Sequence, residues 1–238
     1  MMKKITTQLI FAGAMWTSAI GIAHAEDPYY GLQMEEFEYR ATDTGGDLFV
    51  WNGDAFYGTD ALKVRLESNG EYNFDESALE TLTSQLTLQT PISDFWDIKG
   101  GLRLDSPKGT NRGYAVVGLT GLAPQWFEVD TDLYLSEEGD LSLSFDVEYE
   151  LLLTNYLILT PSAELNGAFS SDREIGSGSG LNSAELGVRL SYDVWDRTLS
   201  PYVGVVYERK FGQTANWAKE EGEEVASWQF VIGTKFLF

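Results

Sequence analysis

The sequence predicts an all-β protein, a transmembrane antiparallel up-and-down β-barrel of the bacterial outer membrane with about twelve strands. Segments of about ten residues alternate between apolar and polar side chains, and Gly, Pro, Asn, Asp and Ser separate them. Beyond the N-terminal stretch, no run of about 18 apolar residues could form a spanning helix. The chain also ends in an alternating segment that closes on Phe238.

The final segment, 229–238, shows the alternation most clearly. Its apolar face carries Phe230, Ile232, Phe236 and Phe238, and its polar face carries Gln229, Gly233 and Lys235. A terminal Phe on such a strand resembles the C-terminal signature of bacterial outer-membrane barrel proteins. The segment therefore favours a membrane protein in a chain that could otherwise pass as a soluble acidic one.

The N-terminus predicts export. A basic start with Lys3 and Lys4 precedes an apolar stretch, and Ala23-His24-Ala25 fits a small-x-small cleavage site. We expect a cleaved signal peptide over residues 1–25, a short N-terminal segment over 26–32 and the barrel over 33–238. The expected location is the outer membrane.

The individual strands follow from the alternation. Their expected spans are 33–41, 47–57, 61–71, 80–90, 95–105, 112–122, 126–136, 140–151, 156–167, 183–193, 201–211 and 228–238. Asn52-Gly53 could form a two-residue hairpin turn, but a bulge there gives two strands of spanning length. Short turns alternate with longer loops around 72–79, 168–182 and 212–227, which places the short turns and both termini on the periplasmic side.

Apolar and aromatic residues predict the outer surface of the barrel. Residues expected to face lipid are Leu133, Leu143, Leu159, Leu186, Val188, Phe230 and Ile232. Aromatic residues near strand ends fit the two interfacial girdles: Trp51, Tyr57, Phe95, Trp96, Trp126, Phe127, Tyr156, Trp195, Tyr202, Trp228 and Phe238. The alternative is a soluble lipocalin-like barrel or sandwich, in which the apolar face would point inward.

The charge of the chain limits its partners. The sequence has 16 Lys and Arg against 37 Asp and Glu, a net charge of −21. Loss of Lys3 and Lys4 with the signal peptide would leave about −23. Such a surface excludes nucleic acid as a partner and favours cations. The simpler explanation is an acidic surface that maintains solubility or lies beside cation-bridged lipopolysaccharide in the outer-membrane lipid.

Several motifs along the mature chain resemble the copper resistance protein B family of outer-membrane proteins. They are 35–40 (EEFEYR), 51–58 (WNGDAFYG), 95–103 (FWDIKGGLR), 121–128 (GLAPQWFE), 149–155 (YELLLTN), 178–181 (GSGL), 200–204 (SPYVG) and 208–212 (ERKFG). The resemblance implies an outer-membrane barrel of copper tolerance, with copper ion as its ligand and a periplasmic copper-handling protein as a partner. Family members often carry a Met- and His-rich stretch before the barrel, whereas here only 26–33 precedes the first predicted strand.

The polar face of three consecutive predicted strands carries carboxylates and no base. They are Glu128, Asp130, Asp132, Asp146, Glu148, Glu150 and Glu164. A tight turn at 137–140 implies that Asp130 faces Asp146 and Glu128 faces Glu148, and the turn at 154–155 places Glu164 beside or one step from Asp146. Facing like charges repel, so they could share protons, bind cations or pair with bases from other strands.

The last possibility competes directly with a metal site, because Arg65, Lys99 and Arg103 could cross the lumen and form a structural ion network. The candidate metal ligands are Met34, Glu36, Glu38, Glu128, Asp130, Asp132, Asp146, Glu148 and Glu164. Met34 is expected in phase with Glu36 and Glu38, where it could contact copper or simply pack at the barrel mouth. Oxygen ligands alone do not choose among Cu²⁺, Zn²⁺, Ca²⁺ and Mg²⁺.

The expected function is an outer-membrane barrel of copper resistance that binds or passes copper or other divalent ions through an acidic lumen. The alternatives are a general small-solute porin and a structural docking barrel without metal specificity. We expect no enzyme, because a mature chain without His or Cys cannot form a Ser-His or Cys-His pair. The sequence leaves open the metal, its oxidation state, the direction of flux and the oligomeric state.

Overall fold

The computed structural model describes residues 27–106, 110–195 and 197–238. The predicted signal peptide, 1–25, lies outside these ranges. Among the described residues, no helix is long and apolar enough to cross a membrane.

The described residues form one closed antiparallel barrel. Its strands are β1 (Tyr29–Thr42), β2 (Leu48–Gly58), β3 (Lys63–Asn73), β4 (Ala78–Pro91), β5 (Trp96–Asp105), β6 (Arg112–Ala123), β7 (Phe127–Ser136), β8 (Leu141–Glu148), β9 (Leu151–Leu152), β10 (Leu157–Ala168), β11 (Gly180–Tyr192), β12 (Leu199–Lys210) and β13 (Ala226–Leu237). Apart from β8 and β9, which do not pair with each other, each strand pairs with its sequence neighbours, and β1 pairs with β13 to close the sheet. Because β8 and the short β9 both pair with β10, they occupy one position and twelve strands surround the lumen. The predicted fold class is confirmed.

The strand positions agree with the sequence analysis to within a few residues. At the N-terminus, β1 begins at Tyr29 and not at residue 33, so part of the predicted short N-terminal segment, 26–32, belongs to the first strand. β2 runs without interruption through Asn52 and Gly53, as expected. The bulge, however, lies opposite them in β1, where the pairing with β2 shifts between Met34 and Glu36.

The apolar side chains point outward, as predicted. Leu133, Leu143, Leu186, Val188, Phe230 and Ile232 are all exposed, and Leu159 shares their face through its pairing with Leu190. A soluble barrel would bury this set, because water drives apolar side chains inward. Aromatic residues near the strand ends, including Trp126, Trp195 and Phe238, are exposed as a girdle requires.

Two side chains differ from the expected faces. Met34 pairs with Gly53 and Phe236, which lie on the lipid-facing side, so it does not share the face of Glu36 and Glu38. The bulge inserts one residue between them and reverses the alternation. Tyr202, expected in the aromatic girdle, is buried in the lumen, where its hydroxyl donates to Glu38.

The connections at the two ends of the barrel differ. Tyr29 and Phe238 share one end with the short turns, which we assign to the periplasmic side. At the other end, the β12–β13 connection contains a helix, α1 (Gly212–Glu221), where the sequence analysis expected only a loop. Its helical pattern is short and weakly amphipathic, and its last turn ends on Gly222 in the left-handed conformation that favours glycine.

The β10–β11 connection, 169–179, folds over part of this mouth and defines what we call the mouth loop. It contacts α1 through hydrogen bonds from Ser171 to Gln213 and from the Gly178 amide to Thr214. It also reaches β6, where Asp172 accepts a 2.6 Å hydrogen bond from Arg112. A polar cavity of about 130 Å³ lies beneath it, lined by Arg103, Tyr134, Asn166, Ser177 and others.

Candidate functional site: an acidic lumen

Five carboxylates form one continuous row across neighbouring strands. Asp130 pairs directly with Asp146, and Asp146 with Glu164, as the turn lengths predicted. Glu164 pairs in turn with Glu185, and Glu185 with Glu208. Directly paired positions lie about 5 Å apart, so the row places five like charges side by side on the lumen wall.

A second acidic row runs one step closer to the periplasmic end. Glu128 faces Glu148, also as predicted. Lys235 of β13 reaches Glu148 at 3.5 Å, and Arg197 reaches Glu150 at 3.0 Å. This end of the lumen is therefore partly neutralised by bases.

Only one of the three bases expected to reach the cluster does so. Lys99 of β5 lies 2.8 Å from Asp130 and 3.0 Å from Asp132. Arg65 pairs instead with Asp54 at 3.3 Å, and Arg103 with Asp105 at 2.7 Å. Lys99 therefore pairs with the acidic row as the structural alternative predicted, but Arg65 and Arg103 do not, and these three bases neutralise only Asp130 of the row.

Glu36 and Glu38 belong to a different arrangement, a buried ion knot on the β11–β12–β13–β1 side of the lumen. Glu38 is 1% exposed and accepts hydrogen bonds from Arg40 (2.6 Å), Arg189 (2.9 and 3.1 Å) and Tyr202 (2.7 Å). Glu36 binds both arginines, at 3.2 and 2.6 Å. Both carboxylate oxygens of Glu38 thus accept from arginine, and Oε2 also accepts from the Tyr202 hydroxyl, so neither is free for a metal.

A glycine makes room for the knot. A Cβ at Gly233 would lie 2.6 Å from the Cβ of Glu38 and 2.7 Å from the Tyr202 ring. Since a Cβ cannot approach other heavy atoms this closely, Gly233 leaves the space that Tyr202 occupies when it reaches Glu38. The knot fills this side of the lumen with packed side chains.

The middle of the acidic row has no base. Within the described ranges, Asp146 has neither an ion pair nor a side-chain hydrogen bond, and Glu164 accepts only from the Asn166 amide at 2.7 Å. The carboxylates on either side of this pair differ, because Lys99 binds Asp130 and Arg40 binds Glu185 at 3.0 Å. Glu35, turned inward by the β1 bulge, lies close enough to repel the charge on Asp146.

Of the nine predicted ligands, the structure brings Asp130, Asp146 and Glu164 into one row, with Glu128, Glu148 and Asp132 next to it. Met34, Glu36 and Glu38 lie elsewhere. Sequence reasoning missed Glu35, Glu185 and Glu208. As they stand, no three acidic side chains of the described chain are arranged around a common point as metal ligands would be.

A closed barrel with apolar residues outside, aromatic residues at its ends and charged residues inside defines an outer-membrane β-barrel protein. Its fold is similar to that of the NanC porin, with a TM-score of 0.53 at 13% identity over 87% of this chain and 99% of that one. The protein resides in the outer membrane.

The family described as "Copper resistance protein B precursor (CopB)" matches residues 28–238. Copper resistance protein B of Escherichia coli is 34% identical over 209 residues, which cover 88% of this chain and 69% of that protein. A copper resistance protein B homolog of Pseudomonas syringae pv. tomato is 33% identical over 204 residues, 86% of this chain and 68% of that protein. The chain belongs to the copper resistance protein B family, as its motifs indicated.

Proposed function

We propose that the protein is a non-enzymatic barrel of copper resistance that binds divalent copper on the acidic row of its lumen and passes it through the outer membrane. The observation that carries the proposal is the pair Asp146 and Glu164. These carboxylates face each other without a base, between neighbours that have one.

The lumen repels anions and attracts cations at this pair. Removing carboxylates from bulk water makes their mutual repulsion stronger than on an open surface, and a cation between them relieves it. A dication is favoured over a monovalent ion, because it balances both charges at once.

The donors available in the lumen suit Cu²⁺ better than Cu⁺. Asp146, Glu164, Glu35 and Glu148 all supply oxygen, whereas cuprous ions prefer thioether and imidazole ligands. Met34 faces lipid, and the chain has no Cys. The sole histidine, His24, lies in the predicted signal peptide. Among divalent first-row ions, Cu²⁺ binds most tightly to a given oxygen site.

We also propose a protein partner at the periplasmic end of the barrel. Copper that crosses the lumen needs a donor or acceptor at the periplasmic end, and a periplasmic copper-handling protein would serve. At that end Lys235 pairs with Glu148 and Arg197 with Glu150, whereas Glu128 has no ion pair among the described residues, so a basic group on the partner would pair with Glu128. Lipopolysaccharide surrounds the opposite end.

We expect the double variant Asp146→Asn, Glu164→Gln to lose copper binding and copper flux severalfold while the barrel folds normally. The physical reason is that the change removes both the attraction for the cation and the repulsion between the carboxylates, without breaking an ion pair. Binding of Cu²⁺ to the purified barrel and its uptake into vesicles measure the effect.

The matched control is Glu221→Gln, Glu224→Gln, which changes the net charge equally on the extracellular side of the barrel. Both residues are exposed, so flux should stay as in the unaltered protein. Unchanged copper binding and flux in a folded lumen variant would rule the proposal out. An equal fall in the flux of a neutral sugar would instead favour a general porin.

A further inference from the structure

We infer that Lys235 is a gate near the periplasmic end of the lumen, whose ammonium alternates between two carboxylates, Glu148 across the lumen and Glu35 on the neighbouring strand. The inference rests on the proposed function only in that ions pass through the lumen. The gate itself follows from where these three side chains lie on the barrel wall.

The contact between Lys235 and Glu148 crosses the lumen. Lys235 belongs to β13 and Glu148 to β8, and β10, β11 and β12 separate these two strands around the wall. Four steps between paired strands, each of about 4.8 Å, make a path of about 19 Å along the wall. The Lys235 Nζ nevertheless lies 3.5 Å from Glu148 Oε2. The two side chains therefore leave the wall and meet inside the lumen as a bar.

The bar lies between the acidic row and the periplasm. Glu148 follows Asp146 by two residues on the lumen face of β8, one step closer to the periplasmic end. β13 reaches the same end at Leu237, two residues after Lys235. An ion that leaves the acidic row towards the periplasm therefore meets the Lys235 ammonium next.

The Lys235–Glu148 pair is weak enough to open. Its side chains are 24% and 21% exposed, and its 3.5 Å separation is longer than a typical N–H···O hydrogen bond of about 3 Å. The ion knot makes a useful contrast, because Arg189 and Glu38 are 4% and 0% exposed and lie 2.9 Å apart. Partly solvated ion pairs contribute little to stability, so thermal motion separates Lys235 from Glu148 while the knot stays fixed.

Glu35 offers the ammonium its second position. β1 and β13 are paired neighbours, and the β1 bulge turns Glu35 inward beside Lys235. The Glu35 carboxylate is close enough to attract the ammonium, has no ion pair of its own among the described residues, and is positioned by a 2.7 Å hydrogen bond from the Gln33 amide. Arg189 repels the ammonium and offsets part of this attraction. Two carboxylates thus compete for one flexible side chain.

The two positions differ in what they leave in the path of an ion. With the ammonium on Glu148, two side chains cross the lumen and a positive charge repels any cation that approaches. With the ammonium on Glu35, the charge is neutralised beside its own strand and the connection to β8 is broken. The position of one ammonium therefore controls the passage of cations.

The test is the single-channel current of K⁺ through the barrel in planar lipid bilayers, with KCl as the electrolyte. We expect Glu148→Gln to raise the open fraction by about two- to fivefold, because it removes the charge that holds the ammonium across the lumen. Glu35→Gln should lower the open fraction by a similar factor, because it removes the competing position. Each variant is the matched control of the other, since both remove one negative charge from the same end of the lumen.

Opposite responses distinguish a gate from a general effect of lumen charge. Equal currents in the two glutamine variants, or a change in the same direction, would overturn the inference. Lys235→Met removes the ammonium itself and should keep the lumen open, so a Lys235→Met barrel that opens and closes like the unaltered protein would also overturn it. Lys63→Met removes the same charge from the periplasmic end of β3, where Lys63 lies over the Tyr29 ring, and should leave the open fraction unchanged.

Copper binding separates this inference from the proposed function. Opposite K⁺ currents in the two glutamine variants support the gate even if the variant Asp146→Asn, Glu164→Gln still binds copper. Equal K⁺ currents in the glutamine variants end the gate even if that row variant loses copper binding.

Discussion

Glu38→Gln is expected to destabilise the barrel by about 3 kcal/mol, the largest stability effect among the lumen carboxylates. Glu38 is buried and receives Arg40, Arg189 and Tyr202 together. When Glu38 loses its charge, the carboxylate of Glu36 is left to pair with both Arg40 and Arg189, and Glu185 pairs with Arg40 alone. Breaking a buried pair on one side leaves uncompensated charge, which is more costly than the pair itself is stabilising.

Urea unfolding from phospholipid vesicles measures this effect. The matched control is Glu164→Gln, the same chemical change on a carboxylate that has no base. It should leave stability unchanged or raise it, because it relieves repulsion from Asp146 and Glu185. Equal losses in the two variants would show that Glu38 is not the centre of a stabilising ion knot.

Arg112→Met is expected to release the mouth loop and expose the cavity beneath it. Arg112 is 2% exposed and binds Glu138 at 2.6 Å, Asp172 at 2.6 Å and Glu174 at 3.5 Å. With the guanidinium removed, three carboxylates on two connections repel one another, and no other hydrogen bond or ion pair among the described residues joins the loop to β6. The chain has no Cys, so a single Ser142→Cys in the cavity reports access without background labelling.

The thiol at position 142 should react with an external maleimide about tenfold faster in the Arg112→Met background, as expected when a local opening becomes favourable. The control is Arg173→Met, which removes a base from the same loop. Its pair with Glu220 at 3.1 Å is largely exposed on both sides, and such pairs contribute little. A thiol that reacts at the same rate in all three backgrounds would mean that the loop is held by its contacts with α1 instead.

Register could be predicted from the sequence where turns are tight. The short turn after β7 fixed the pairing of Asp130 with Asp146, and the turn before β10 fixed that of Glu164. The pairing of Glu164 with Glu185 was missed, because the long mouth loop and a register shift between Asn166 and Gly167 intervene. The row was therefore expected to have three members where it has five.

The direction of a side chain, into the lumen or towards lipid, could be predicted from the alternation of side chains along its strand. Tyr202 shares the parity of Glu208, which points inward, yet its position near a strand end suggested the girdle. The position of Tyr202 in the alternation decides its direction, whatever its aromatic character, because successive side chains of a strand point to opposite faces. The partners of Lys99, Arg65 and Arg103 could not be predicted, since long side chains choose among several carboxylates by rotamer and distance.

The β1 bulge has a consequence for comparing this chain with its relatives. Glu35 and Glu36 both point into the lumen, so odd-numbered residues face the lumen before the bulge and even-numbered residues face it afterwards. An alignment that places a one-residue gap even slightly away from this point would exchange lipid and lumen assignments for the intervening residues. Correspondence between family members in this strand is therefore best anchored on Gly53, which faces Met34 across the bulge, rather than on the glutamate run itself.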